Sequence, residues 1–131
     1  MNALLQNDLS YYMVFIAGLL PYLFTGLAKF GSDRRYNNHD PRAFLEQVEG
    51  RHRRAHNAQL NSFEAFPFFA VGVLVAHQKL PANGSFLSLN IICIAFLVFR
   101  LAYGWAYIYD QASLRSILWF IAISLASSLY F

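Results

Sequence analysis

Four apolar segments separated by short polar ones make up most of the chain. The first, residues 9–30, has about 22 positions and no charge before Lys29, which is enough to cross a hydrocarbon layer. The others are residues 58–77, 86–109 and 114–131. This pattern predicts an all-α integral membrane protein, a bundle of four transmembrane helices that forms one domain over residues 1–131.

The second segment is the end of a longer predicted helix. Asp40 and Pro41 are a strong helix start, since Asp caps free N–H groups and Pro suits the first helical position. From about residue 41 we predict one helix to about His77. Its first half is polar and extends into the cytoplasm, and Gly50 is its weak point.

Composition supports a membrane location. Charged residues are 13% of the chain and apolar ones 57%, whereas soluble domains carry about 25% charge. The single cysteine, Cys93, excludes an internal disulfide, and its apolar surroundings indicate a buried packing residue.

The basic residues are unevenly distributed, since seven of the ten Lys and Arg lie between Lys29 and Arg54. By the positive-inside rule, the loop after the first span is cytoplasmic and both termini lie on the other side. No groove-reading or base-stacking motif accompanies this cluster, so we expect no nucleic-acid partner.

Polar residues recur at helical spacing on the second and third spans. Spacings of 4, 4 and 3 on the second span keep four side chains within about 80° of one another. The second-span residues are Arg53, Asn57, Asn61 and Glu64, the third-span residues are Arg100, Tyr103 and Tyr107, and Arg115 begins the fourth span. Such a set suits a small zwitterionic, peptide-like ligand, because Arg binds carboxylates bidentately and Glu binds an ammonium group. An apolar second substrate would approach from the lipid.

Simpler roles remain open for several of these residues. Asn61 and Glu64 are also suited to a structural contact between helices, with Glu64 pairing with Arg100. Trp105 and Tyr109 fit an aromatic belt at the membrane surface better than a site.

The remaining basic residues favour structural roles. Arg51 and Arg54 are better suited to setting topology or contacting anionic lipid. His52 and His56 have metal-compatible spacing, but no third ligand accompanies them, so we predict no metal site.

Two stretches resemble the MAPEG family, the membrane-associated proteins of eicosanoid and glutathione metabolism. These are AHNAQLNSFEAFPFFA on the second span and FRLAYGWAYIYD on the third. The N-x-x-E-x-x-P and R-x-x-Y-x-x-x-Y cores carry the resemblance, which covers nearly the whole chain in layout. The short length is similar to that of bacterial members, which implies a bacterial inner membrane.

The resemblance implies a homotrimer that binds glutathione between adjacent subunits near the cytoplasmic face. It assigns Asn61, Glu64, Arg100, Tyr103 and Tyr107 to glutathione and Arg115 to stabilising the thiolate. Asn57 stands where several members have Arg, and Arg53, one turn further out, is the candidate replacement. Arg115 follows Tyr107 by eight residues, where the eukaryotic pattern has seven.

Two functional hypotheses follow. The first is a glutathione transferase or peroxidase that acts on lipophilic electrophiles, with Arg115 as its catalytic residue. The alternative is a non-catalytic, MAPEG-like lipid-binding or scaffold protein. A transporter or channel subunit is disfavoured, because residues 91–99 offer only Cys93 as a polar group at the midplane.

Overall fold

The computed structural model describes residues 7–31, 34–81 and 84–131, and all the regular structure in these ranges is α-helical. Residues 32–33 and 82–83, which belong to the two longer polar connections, lie outside the described part. The helices are α1 (Ser10–Lys29), α2 (Pro41–Gln47), α3 (Gly50–Lys79), α4 (Leu87–Ile108) and α5 (Ala112–Ser128).

Three helices, α1, α3 and α4, are long and apolar enough to cross a membrane. Helices α1 and α4 cover nearly the same residues as the predicted spans 9–30 and 86–109, and α3 contains the predicted span 58–77 within its 30 residues. The fourth, α5, is apolar but has 17 residues, a length of about 26 Å at 1.5 Å per residue. The all-α prediction is confirmed, and the described helices include three candidate spans and one shorter apolar helix.

The long helix predicted from Pro41 to about His77 is wrong, because the chain breaks after Gln47. Val48 and Glu49 are extended, and Gly50 begins α3 with a φ of +55°. The start at Asp40 and Pro41 is confirmed, since the Asp40 carboxylate accepts the N–H of Ala43 at 3.1 Å.

Burial explains why α2 separates from α3. The side chains of Phe44, Leu45 and Val48 are buried in one cluster with Ala28 of α1 and Ile108 of α4. A continuous helix would carry these side chains away from the bundle, and burying each apolar side chain stabilises the fold by about 1.5–3 kcal/mol. The segment therefore folds back onto the end of the bundle instead of protruding as expected.

Contacts at the two ends show that the four longer helices alternate in direction. At one end, His52 near the start of α3 bonds to the Leu27 carbonyl of α1 at 2.9 Å, and Arg54 Nε donates to the Ile108 carbonyl of α4 at 2.9 Å. At the other end, the Leu9 amide donates to Asn90 of α4 at 3.0 Å. The start of α5 therefore lies at the same end as the start of α3.

Gly104 allows α1 and α4 to approach closely beside the polar residues of α4. A Cβ added at Gly104 would lie 1.9 Å from Cζ of Phe24. The Phe24 ring is buried in the space that any larger residue at position 104 would need. This contact sets the position of α4 at the level of Tyr103. The Cys93 side chain is fully buried further along the same helix, which confirms its packing role.

Candidate functional site

A tight turn brings Arg115 back to Tyr107. After α4 ends, Asp110 adopts a φ of +60°, a conformation that Asp tolerates better than most residues. The Gln111 amide then donates to the Ala106 carbonyl at 2.8 Å. As a result, Cζ of Arg115 lies 4.4 Å from the centre of the Tyr107 ring, a cation–π distance.

A buried guanidinium joins α4 to α3. Arg100 is only 2% exposed, and its Nη2 donates to Asn61 Oδ1 at 3.0 Å and to Ser62 Oγ at 3.3 Å. Asn61 Nδ2 donates in turn to Glu64 Oε2 at 3.2 Å. Cζ of Arg100 also lies 4.4 Å from the centre of the Tyr103 ring. The guanidinium charge is therefore shared by two oxygen acceptors and one aromatic face.

These groups border a cleft between α3, α4 and α5 with a volume of about 320 Å³. Ligand sites in proteins usually measure about 300–1,000 Å³ and combine apolar walls with a few polar groups. The cleft is lined by Asn61, Tyr103, Tyr107, Arg115, Ser116, Trp119 and Phe120. Four of the eight predicted site residues thus meet in one open cleft, and Arg100 and Glu64 adjoin it through Asn61.

Two predicted ligand residues lie elsewhere in the described part of the chain. Arg53 Nη1 donates to the carbonyls of Glu46 at 3.0 Å and Leu45 at 3.4 Å, so it caps the last turn of α2. Asn57 is half-buried on α3 and is not among the residues that line the cleft. The break between α2 and α3 explains the position of Arg53, because it places free carbonyls within reach of that side chain.

Four residues near the site were missed by sequence reasoning. Ser62 was hidden because a serine inside an apolar helix carries no specific signal. Ser116, Trp119 and Phe120 follow Arg115 on α5 and form the far wall of the cleft. Trp119 was detectable, because positions i and i+4 lie on one helix face and Arg115 was already a candidate.

The structure also bears on the simpler roles. Asn61 lies between Glu64 and Arg100, so these two are linked through an amide and not by the direct pairing considered from the sequence. Trp105 and Tyr109 are exposed and pack against each other with ring centres 4.9 Å apart, as a surface belt would.

The basic residues at the same end support helix termini. Arg54 donates to a terminal carbonyl of α4, where its positive charge stabilises the helix end, and His52 hydrogen-bonds to a terminal carbonyl of α1. Arg51 is exposed.

The fold and the cleft define a small helical membrane protein with a cleft of polar and aromatic side chains near one end of its helices. A family model, described as the MAPEG family, matches residues 9–131. The chain therefore belongs to the MAPEG family, a group that includes glutathione transferases and related proteins. No curated protein and no solved structure shows a significant match to the chain.

Proposed function

We propose that this protein binds glutathione and acts as a membrane glutathione transferase or peroxidase on lipophilic electrophiles. The cleft shared by Asn61, Tyr103, Tyr107 and Arg115 carries the proposal. It combines a cation, an amide and two phenols beside an apolar wall, which suits a charged tripeptide next to an apolar acceptor.

The polar groups match glutathione by chemical type. Glutathione has two carboxylates, one ammonium group and two peptide bonds. Arg100 supplies a guanidinium for a carboxylate, and the Glu64 carboxylate suits the ammonium group. Asn61 and the two tyrosines add hydrogen-bonding groups for the peptide bonds.

Arg115 is the residue proposed to act on the thiol. Its guanidinium lies partly exposed at the cleft, where it can face a bound ligand. A nearby cation lowers the pKa of a thiol and raises its reactive thiolate fraction at neutral pH. After the thiol proton passes to water, the thiolate sulfur would bond to the electrophilic carbon, and the electron pair of the broken bond would leave with the departing group or move onto the acceptor. The apolar side chains of Trp119 and Phe120 would hold that electrophile.

The proposed assembly is a homotrimer with glutathione between subunits. Glu64 supports this, because it is exposed on α3 beside Phe63 and Phe68, within a stretch long enough to cross a membrane. An exposed carboxylate facing lipid is costly. A neighbouring subunit would cover this face and complete the open cleft.

The basic cluster supports a cytoplasmic location for the end of the bundle that holds Arg115. Both termini would then lie on the opposite side, and a bacterial inner membrane is the proposed location.

A second candidate is a non-catalytic protein that binds lipid or serves as a scaffold. An open apolar surface on α5 favours it, because the surface continues from Phe120 along the helix. Its lining is Phe120, Ile121, Ser124, Leu125 and Ser128. Such a surface suits contact with an acyl chain and needs no reactive thiol.

Calorimetric titration of glutathione into detergent-purified protein tests the proposal. We expect saturable binding that Arg100→Ala abolishes and that Arg51→Ala, which removes an exposed arginine of the same helix bundle, leaves unchanged. Both variants are compared with the unmodified chain by thermal unfolding to show that they are folded. No binding at millimolar glutathione would reject the proposal and leave the lipid-binding candidate.

A further inference from the structure

We propose that Ser62 is a positioning residue for the ligand site: it holds the guanidinium of Arg100 in the orientation that binds a carboxylate of glutathione. This inference rests on the proposed function and assigns a role to a residue that does not line the cleft.

The hydrogen bonds of Ser62 determine its role as an acceptor. Its Oγ donates to the Ala58 carbonyl one turn earlier on α3, at 2.8 Å. A serine hydroxyl has one hydrogen and two lone pairs, so this bond uses its only donor. The lone pairs remain to accept from Arg100 Nη2 at 3.3 Å. Ser62 therefore meets the guanidinium as a pure acceptor.

The two acceptors of Arg100 orient its guanidinium plane. Nη2 carries two N–H groups, and Asn61 and Ser62 accept from this nitrogen from adjacent positions on α3. The Tyr103 ring lies against the same guanidinium. A guanidinium has three further N–H groups on Nη1 and Nε. With Nη2 held, the N–H groups of Nη1 and Nε remain as donors, and each can donate a single charge-assisted hydrogen bond to a carboxylate.

Burial makes the contribution of Ser62 significant. Ser62 is 4% exposed and Arg100 is 2% exposed. Water cannot easily replace a lost acceptor at such a position, and a buried donor without a partner is costly. Replacing Ser62 by Ala would leave Asn61 as the only oxygen acceptor for Nη2 among the described residues and would allow the guanidinium to rotate.

The test compares glutathione with its diethyl ester, in which both carboxylates are masked. We titrate both ligands into the purified full-length chain and into Ser62→Ala, Ser62→Thr and Ser127→Ala. Ser127 is a matched control, because its Oγ also donates to a carbonyl one turn earlier, that of Ile123 at 2.8 Å. Ser62→Thr keeps the hydroxyl and serves as the rescue variant.

We expect Ser62→Ala to weaken glutathione binding about tenfold, as is typical for the loss of one charge-assisted hydrogen bond. The preference for glutathione over its ester should fall by a similar factor, whereas Ser127→Ala and Ser62→Thr keep that preference. A general loosening of the fold would weaken both ligands equally and leave the preference unchanged, which would overturn the positioning role.

The outcomes separate this inference from the proposed function. If the unmodified chain binds no glutathione, both are wrong. If it binds glutathione and Ser62→Ala retains full affinity and preference, only the role of Ser62 is wrong. If Ser62→Ala does not fold, Ser62→Cys replaces the hydroxyl by a somewhat larger thiol, which is a much weaker acceptor, and the same loss of preference is required of it.

Discussion

Replacing Arg115 by Ala should slow turnover much more than it weakens glutathione binding. In the structure the guanidinium of Arg115 rests on the Tyr107 ring at the cleft. Removing it takes away the positive charge proposed to face the thiol but leaves Arg100 and Asn61, which are proposed to bind other parts of glutathione. The cation–π contact contributes only about 0.5–1 kcal/mol at an exposed site, so the fold should persist.

The size of the effect follows from the charge. A positive charge about 4 Å from a thiolate contributes about 4 kcal/mol at an effective dielectric constant of about 20. Solvent in an open cleft weakens this interaction. An interaction energy of about 2 kcal/mol, half of the value above, would lower the thiol pKa by about 1.5 units. An ordinary thiol with a pKa near about 8.5 is about 3% ionised at pH 7. The shifted thiol would be about half ionised, a difference of about 15-fold.

The loss of rate caused by Arg115→Ala should depend on pH. Without Arg115 the thiol ionises only near its ordinary pKa, so the rate of the variant should rise steadily from pH 7 to about 8.5. The unmodified protein, with a thiol about half ionised at pH 7, should level off by about pH 8. The penalty of about 15-fold at pH 7 should therefore shrink below about twofold at pH 9, where both thiols are mostly ionised.

The assay is conjugation of glutathione to a chromogenic electrophile between pH 6 and 9.5, with calorimetric binding measured in parallel. Arg115→Lys is the control, because it keeps a positive charge and should retain most of the activity at pH 7. A penalty that does not change with pH would refute the thiolate role. Loss of binding equal to the loss of turnover would also refute it, since Arg115 would then act on ground-state binding.

Two further predictions concern packing and the reassigned arginine. Gly104→Ala should lower the free energy of unfolding by about 1–3 kcal/mol, because its Cβ would lie 1.9 Å from the Phe24 ring. Gly26→Ala is the control, since a Cβ there meets nothing within 4 Å. Equal melting temperatures for the two variants would contradict the close contact between Gly104 and Phe24. Arg53→Ala should leave the glutathione Kd within about twofold of the original, because Arg53 caps α2. A loss of affinity as large as that of Arg100→Ala would show that Arg53 contacts glutathione.

The helices themselves were largely predictable from the sequence. Three of them, α1, α3 and α4, agree with predicted spans, because the preference for a membrane depends on the summed hydropathy of about 20 neighbouring residues. The start of α2 at Asp40 was equally predictable, since capping uses side chains within three or four positions. These properties are local, and a single stretch of sequence contains all the interacting groups.

The site was predictable only in part. The i, i+3 and i+4 spacing grouped Arg100, Tyr103 and Tyr107 on one face of α4, because helical geometry is regular. The same rule placed Arg53 in line with Asn61, but Arg53 instead caps the carbonyls of α2. That outcome depends on the break after Gln47, which no spacing rule within one continuous helix can anticipate.

The sequence by itself determined the membrane class, the helices and the side chains available for chemistry. The tertiary structure alone decided which of them meet. The turn at Asp110 places Arg115 against Tyr107, and α2 packs onto the end of the bundle. Ser62 accepts a hydrogen bond from Arg100. The physical reason is that hydropathy and capping act over a few residues, whereas these contacts join different helices and depend on how buried surfaces pack.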